Sequence, residues 1–246
     1  MNHTKMHRKL YEHVEEAIGL RIISGEYKPR EILPNEEALC TEFGVSRGVI
    51  RESIKVLHKK GMVLPRPKIG TQILPKTKWN LFDADVLVWK LKAGQHVIFL
   101  QKVTEVRRII ESEAAKLSAE RATLEEIDEI QKICDRLEGI LSDKEKFSFE
   151  EYLQVDMAFH TAILEASHNE LLAQIGRTMR DAIQTAREAD IHDIALLLVS
   201  QPFHAAIVRA IAHNDPNSAY TASLEMFDQV WKNIPKNHTI PPFQPL

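Results

Sequence analysis

The stretch "LPNEEALCTEFGVSRGVIRESIKVLHKKG", Leu33 to Gly61, decides the fold. Asn35 is a good helix N-cap, Glu36 and Glu37 suit the positive end of the helix it starts, and Gly44 suits that helix's stop. After a tight Gly44–Val45 turn, Ser46 caps a second helix that Gly61 closes. Its Ile50, Ser53, Ile54 and Leu57 fall at the i, i+3, i+4, i+7 spacing of a core-facing stripe. Two helices joined this tightly are a helix-turn-helix.

Working outward, Leu10, Val14, Ala17, Ile18 and Ile22 recur at helical spacing until Gly25 and Pro29 end the pattern. Downstream, "MVLPRPKIGTQIL" places two short β-type runs around a Pro/Lys/Gly tip, which predicts a hairpin. Three helices plus a β-hairpin wing make residues 1–75 a winged helix-turn-helix. "PKTKWN" then breaks the periodicity, and residues 76–90 read as a linker and leading helix. Across 91–235 helical patterns follow one another without a convincing strand: Val97–Ala119, Leu124–Leu141, Phe149–Ser167, Leu171–Ala189, Ile191–His213 and Asn217–Ile234. They predict an all-α helical bundle. Residues 236–246, rich in proline, read as an irregular tail. The fold class is therefore mainly α.

Charge divides along the same line. Residues 1–75 hold 13 Lys and Arg against 9 Asp and Glu, whereas the remainder holds 19 against 26. A basic head on an acidic body points to two jobs shared between domains. No apolar run is long enough to span a bilayer and the N-terminus lacks a signal-peptide core, so the expectation is a cytoplasmic protein without a membrane partner. Cys40 and Cys134 lie in separate helical patterns, form no CxxC motif and read as reduced core residues.

Two constellations carry chemistry. On the helix that Ser46 caps, Arg47 and Arg51 are neighbours four apart and oppose the apolar stripe, with Gly48 between them leaving room for close backbone approach. On an isolated helix they would read as solvated arginines. With a helix and tight turn before them and a wing after, they occupy the part of a recognition helix that enters the major groove. Arginine there pairs with guanine or clamps phosphate. Arg66, Lys68, Gly70 and Thr71 at the hairpin would reach phosphates or the minor groove. The second constellation is "DMAFH", where Asp156 and His160 share one helix face. Spacing alone leaves a hydrolytic zinc centre, a sensor site and an internal hydrogen bond open.

The run "ISGEYKPREILPNEEALCTEFGVSRGVIRESIKVLHKKGMVLPRPKIGTQI" carries "LP-x-E", "VSR-x-x-[VI]-RE" and "G-T" signatures in register. It resembles the DNA-binding domain of the GntR family of bacterial transcription regulators over nearly all of residues 8–75. Arg30 departs from that pattern, which favours glycine, and Glu37 stands where many members carry a DNA-touching arginine. Gly48 and Val49 replace a commoner small polar pair. "EVRRIIESEAAKLSAERAT", the Asp156–His160 pair and "FHAAIVRAI" are similar to the FCD ligand-binding domain of the FadR subfamily, and "WNLFDADVLVWKL" to members that respond to sugar acids.

The resemblance implies a dimeric regulator, usually a repressor, bound to a palindromic operator on double-stranded DNA. It implies a divalent metal held by an aspartate and histidines, which helps hold a small carboxylate effector. Asp156 and His160 match that set, and His204 is the third ligand expected from a facing helix. Zinc suits such an O/N/N set, with nickel or manganese as alternatives. Met226 stands where many FCD domains supply another histidine. Arg107 matches a pocket-facing arginine that could clamp a carboxylate, and Ser200, one turn before His204, could donate to an effector hydroxyl. The effector class is a sugar acid, with a small hydroxy acid next. Asn169 reads as a helix cap, and His168, His192 and His213 as surface or capping residues. The competing reading is a metal-dependent enzyme acting on a small acid through Asp156, His160 and His204. No HExxH-type motif supplies it with a general base.

Overall fold

A computed structural model describes residues 2–93, 96–143, 145–190 and 194–233, and the chain forms two compact units, Met1–Gln95 and His96–Leu246. The first opens with three helices, α1 (Asn2–Ser24), α2 (Glu36–Phe43) and α3 (Arg47–Lys59), and an antiparallel hairpin of β1 (Val63–Arg66) and β2 (Gly70–Ile73). Each local signal has its physical counterpart. Asn35 accepts the Ala38 amide and Ser46 the Val49 amide, so both helices begin where a side chain satisfies an otherwise unpaired N–H. Gly44 ends α2 at a left-handed φ of 64°, a conformation that costs a side chain clash for other residues.

Ile50, Ser53, Ile54 and Leu57 are all buried, packed with Val14, Ile18 and Ile22 of α1. Ser53 sits in that apolar stripe because its hydroxyl donates to the carbonyls of Val49 and Tyr11, leaving no unsatisfied donor. The wing is wider than two strands. Leu33 donates to Thr71 at 2.8 Å, Ile73 donates to Glu31 at 2.9 Å, and Ile32 bridges Gln72, so the segment before α2 lies along the edge of β2. That alignment holds Arg30 at a φ of 75°, which explains why glycine is the favoured residue there.

The segment 76–90 is folded onto this unit. A 3-10 turn, Lys76–Lys78, leads to α4 (Ala84–Lys92), whose Val86 and Trp89 enter the same core as α1. Lys60, at the end of α3, is buried and pairs with Asp83 at 2.8 Å and Asp85 at 2.6 Å, under the Trp89 ring.

The second unit is all helical: α5 (His96–Arg121), α6 (Leu124–Ser142), α7 (Phe149–Ala166), α8 (Glu170–Asp190), α9 (Ile194–Ala212) and α10 (Pro216–Asn233). Thr123 and Glu126 form a capping box at α6, and Asn169 caps α8 by accepting the amides of Leu171 and Leu172. Small residues Ala114, Ala115 and Ala119 on α5 let its neighbours approach closely, and Phe159, Ile163, Ile207, Ile211 and Phe227 fill the centre. His168 and His213 are exposed, as the sequence suggested. The expected helix start at Ile191, His192 and the tail 236–246 lie outside the described residues. Among the described residues no helix is long and apolar enough to cross a membrane.

Candidate functional site

In the first unit the expected contact residues stand at the surface. Arg47, Gly48 and Arg51 are exposed on the first two turns of α3, beside the capping Ser46. Arg66, Lys68 and Gly70 are exposed on the wing, and Thr71 is half-buried. Between α3 and the wing runs a groove of about 650 Å³ whose lining includes Arg51, Lys55, Arg66, Gly70 and Thr71. Ser46, Arg47, Gly48 and Lys68 stand outside that lining. Two neighbours of these residues escaped the sequence reading. Glu36 accepts from Arg51 Nε with both carboxylate oxygens at 3.0 Å, across fifteen positions that no periodic pattern links. Ile69, between Lys68 and Gly70, holds a large apolar side chain 60% exposed at the wing tip.

The second unit treats charge in the opposite way. Asp156 and His160 share the inner face of α7, and His204 reaches them from α9; all three are buried, with one ligand atom from each within 4.8 Å of the others. Asp156 Oδ1 lies 3.8 Å from His160 Nε2 and 3.7 Å from His204 Nε2. Zinc bonds of about 2.0–2.1 Å place tetrahedral ligand atoms roughly 3.4 Å apart, so small side-chain shifts bring the trio to ligand distance. The donor set, one carboxylate oxygen and two imidazole nitrogens, suits zinc and its neighbours.

The outward-facing nitrogens are engaged too. His160 Nδ1 is 2.7 Å from Glu111 Oε2 on α5, and His204 Nδ1 is 3.3 Å from Gln201 Oε1. Arg107 forks onto Glu111, Nε to Oε1 at 2.5 Å and an amino nitrogen to Oε2 at 3.4 Å, and lies 5.0 Å over the Phe227 ring. Burial raises the Glu111 pKa, but Arg107 and His160 outweigh it and hold the carboxyl at about 2. Arg107 is thus buried and committed to Glu111, while Ser200 is half-buried on α9 and Gln201 is the residue that reaches His204. Met226 is buried beside Phe227 in the core. The described residues leave a cavity of only about 10 Å³ between Arg107, Glu111, His160, Thr161 and Met179.

Sequence reasoning missed Glu111 and Gln201. A signal for Glu111 was present: Arg107, Glu111, Ala114, Ala115 and Ser118 recur at helical spacing, so the acid falls on a stripe that otherwise reads as core. Gln201 carries no comparable signal.

Residues 10–73 match the model for bacterial regulatory proteins of the gntR family, and residues 102–229 match the FCD domain. The HTH-type transcriptional regulator YieP of Escherichia coli K12 is 34% identical over 207 residues, covering 84% of this chain and 87% of that relative. The galactonate operon transcriptional repressor of the same organism is 30% identical over 211 residues, 85% of this chain and 90% of its own. The transcriptional repressor NanR of Cronobacter sakazakii is 29% identical over 86% of this chain and 80% of its own. Among solved structures, Lar of Listeria monocytogenes matches 91% of this chain and 97% of its own at 19% identity and a TM-score of 0.57, a likeness of fold alone.

Proposed function

The chain belongs to the GntR family of bacterial transcription regulators, with an FCD domain behind its winged head, and from that membership we propose that a divalent cation and a small carboxylate effector in the helical unit control its operator binding. It is a DNA-binding regulator; its family and relatives are regulators and not enzymes, which removes the metal-dependent enzyme reading.

One observation carries the cation: His160 Nε2 and His204 Nε2 both approach the same Asp156 oxygen inside the core, at 3.8 and 3.7 Å. Like-oriented nitrogens around one buried carboxylate are what a metal seat needs and what a packing histidine does not. Asp156, His160 and His204 would hold the ion, zinc first, with nickel or manganese as alternatives. When bound, the ion supplies a Lewis-acidic centre with open positions for a carboxylate, because Met226 contributes no imidazole. Charge supports the same effector. With both imidazoles neutral, as ligation requires, Arg107, Glu111 and Asp156 sum to one negative charge. A divalent ion makes the site net positive and complementary to a monocarboxylate.

A sugar acid is the effector class favoured, supported by the relative named for the galactonate operon, with a small hydroxy acid next. Pockets for such ligands occupy about 300 Å³ or more, so among the described residues an effector would enter by widening the cavity beside His160. That widening would couple occupancy to the helices and hence to DNA affinity. On the DNA side, Ser46, Arg47, Gly48 and Arg51 would face the major groove and Arg66, Lys68, Gly70 and Thr71 the backbone or minor groove, in a homodimer on a palindromic operator. Repression is the expected mode of action.

Thermal-shift measurements with zinc, nickel, manganese and EDTA, crossed with aldonates, uronates and 2-hydroxy acids, test the reading. A metal-dependent rise in melting temperature, extended by one carboxylate class and reversed by EDTA, is expected. The same carboxylate should alter a mobility shift on DNA from the protein's own promoter region. Indifference to every metal, or a carboxylate response that EDTA leaves intact, rules the cation mechanism out.

A further inference from the structure

We propose that Glu111 is the positioning residue of the cation seat: it fixes the tautomer of His160, and it engages Arg107, which acts through Glu111 and not on the effector. The inference rests on the cation-seat reading above and extends it to two residues on a different helix.

The hydrogen-bond chemistry is one-directional. Both oxygens of Glu111 accept from the Arg107 fork, so at 2.7 Å from Glu111 Oε2 it is His160 Nδ1 that donates. The proton held there leaves Nε2 as the lone-pair nitrogen, and that is the nitrogen facing Asp156 and His204. A ring held only by packing would populate both tautomers and in one of them present an N–H to the ion. Metal-bound histidines are oriented in this way by a second carboxylate or carbonyl, and loss of that partner weakens metal binding about 10–100-fold. His204 has the same arrangement in neutral form, its Nδ1 on Gln201 Oε1.

Glu111 differs from Gln201 in carrying a charge into the core, where an unpaired carboxylate is costly. Arg107 answers that charge with a fork from one helical turn earlier, and its guanidinium is itself seated on Phe227. Arg107 and Glu111 are 4% and 5% exposed. Transferring Arg107 to an effector carboxylate would strip Glu111 of its counter-charge and loosen His160 when the ion needs it. The chain of contacts therefore runs from Arg107 to Glu111 to His160 to the seat, and the effector's anion is left to the cation.

Long-range proton–nitrogen NMR spectra of the full-length protein without metal read the tautomer directly, and His160 is expected in the Nδ1–H form. Zn²⁺ affinity is then measured by competition with a chromophoric chelator. The paired Arg107→Leu/Glu111→Leu variant removes both charges at similar volume; once circular dichroism confirms its fold, its Zn²⁺ affinity is expected to fall about 10–100-fold with His160 in mixed tautomers. Glu111→Gln still offers an acceptor oxygen and is expected to restore the affinity to within about threefold of wild type. At saturating Zn²⁺ the paired variant is expected to keep its carboxylate-induced thermal shift. An Nε2–H His160 in the wild type, or unchanged Zn²⁺ affinity in the folded paired variant, overturns the inference and leaves the cation seat standing. Loss of the carboxylate shift at saturating Zn²⁺ overturns the assignment of Arg107 and makes it an effector clamp. Failure of the wild type to bind Zn²⁺ while His160 remains Nδ1–H overturns the cation seat itself, and this inference with it.

Discussion

The two units of this chain handle charge in opposite ways. The winged unit sets Arg47, Arg51, Arg66 and Lys68 at its surface, where solvent screens them and a polyanion can reach them. The helical unit places Arg107, Glu111, Asp156, His160 and His204 in its core, each bonded to another member of the group or facing it. Exposed charge is available to a partner and costs little to keep. Buried charge is expensive, and a set of side chains this costly is retained when its members compensate one another. The contrast is what the proposed division between a DNA-binding head and an effector-sensing body predicts.

The contrast breaks most visibly if Asp156 is removed. A ligand present at a hundred times its dissociation constant stabilises a protein by about 2.7 kcal/mol. Wild type is expected to show that gain with Zn²⁺, and Asp156→Ala to show none, in chemical denaturation with and without the metal. A retained zinc effect would place the ion elsewhere.

On the exposed side, Arg47→Ala and Arg51→Ala are each expected to weaken operator binding roughly tenfold to hundredfold and to relax base preference. Arg66→Ala and Lys68→Ala should instead weaken all sequences alike and reduce the slope of log affinity against log salt by about one each. Fluorescence anisotropy across a salt series separates the two classes. If all four behave alike, α3 does not read bases.

Glu15 sharpens the comparison as a buried acid within the exposed-charge unit. Burial pushes its carboxyl up to about 7, against the pull of Lys60 and with the push of Asp85, Glu12 and Asp83. A raised carboxyl pKa means that the folded unit keeps a proton the unfolded chain has already released. Stability should therefore fall as pH climbs from 4.5 through about 7 and change no further above it. Glu15→Gln is expected to remove that slope in urea titrations from pH 5 to 8, and an unaltered slope would assign it to another group. The smallest effect concerns the backbone. Arg30→Gly, at a φ of 75°, is expected to stabilise the winged unit by about 0.5–1 kcal/mol in thermal melts. No gain would show that the edge of β2 adapts to the arginine without strain.

Legibility differed between the units for a related reason. The winged unit is marked by neighbours in sequence: Asn35 and its Ala38 amide, Ser46 and its Val49 amide, Gly44 at the turn, and a hairpin with one short tip. The helical bounds of the second unit also followed from periodicity. What eluded the sequence was depth. Arg107 and Glu111 at i, i+4 have the spacing of an exposed helix pair, while the family resemblance offered Arg107 as a pocket-facing clamp. Only the packing of α5 against α7 and α10 shows that the pair is sealed and turned toward His160. Lys60 with Asp83 and Asp85 is similar, since a segment that reads as linker is anchored by a charge pair that crosses from α3 to the start of α4.

By itself the sequence determined that this chain is a winged helix-turn-helix followed by a helical bundle, and that Asp156 and His160 share a face. Caps, turns and periodic stripes act between residues within a turn or two of one another, and the chain states them directly. The tertiary structure alone decided that positions 111 and 201 join 156, 160 and 204, which nitrogen of each histidine faces Asp156, and that Arg107 is paired with Glu111. Those facts depend on how three helices pack, and on the high cost of a buried charge without a partner, which fixes each of these side chains to the one beside it.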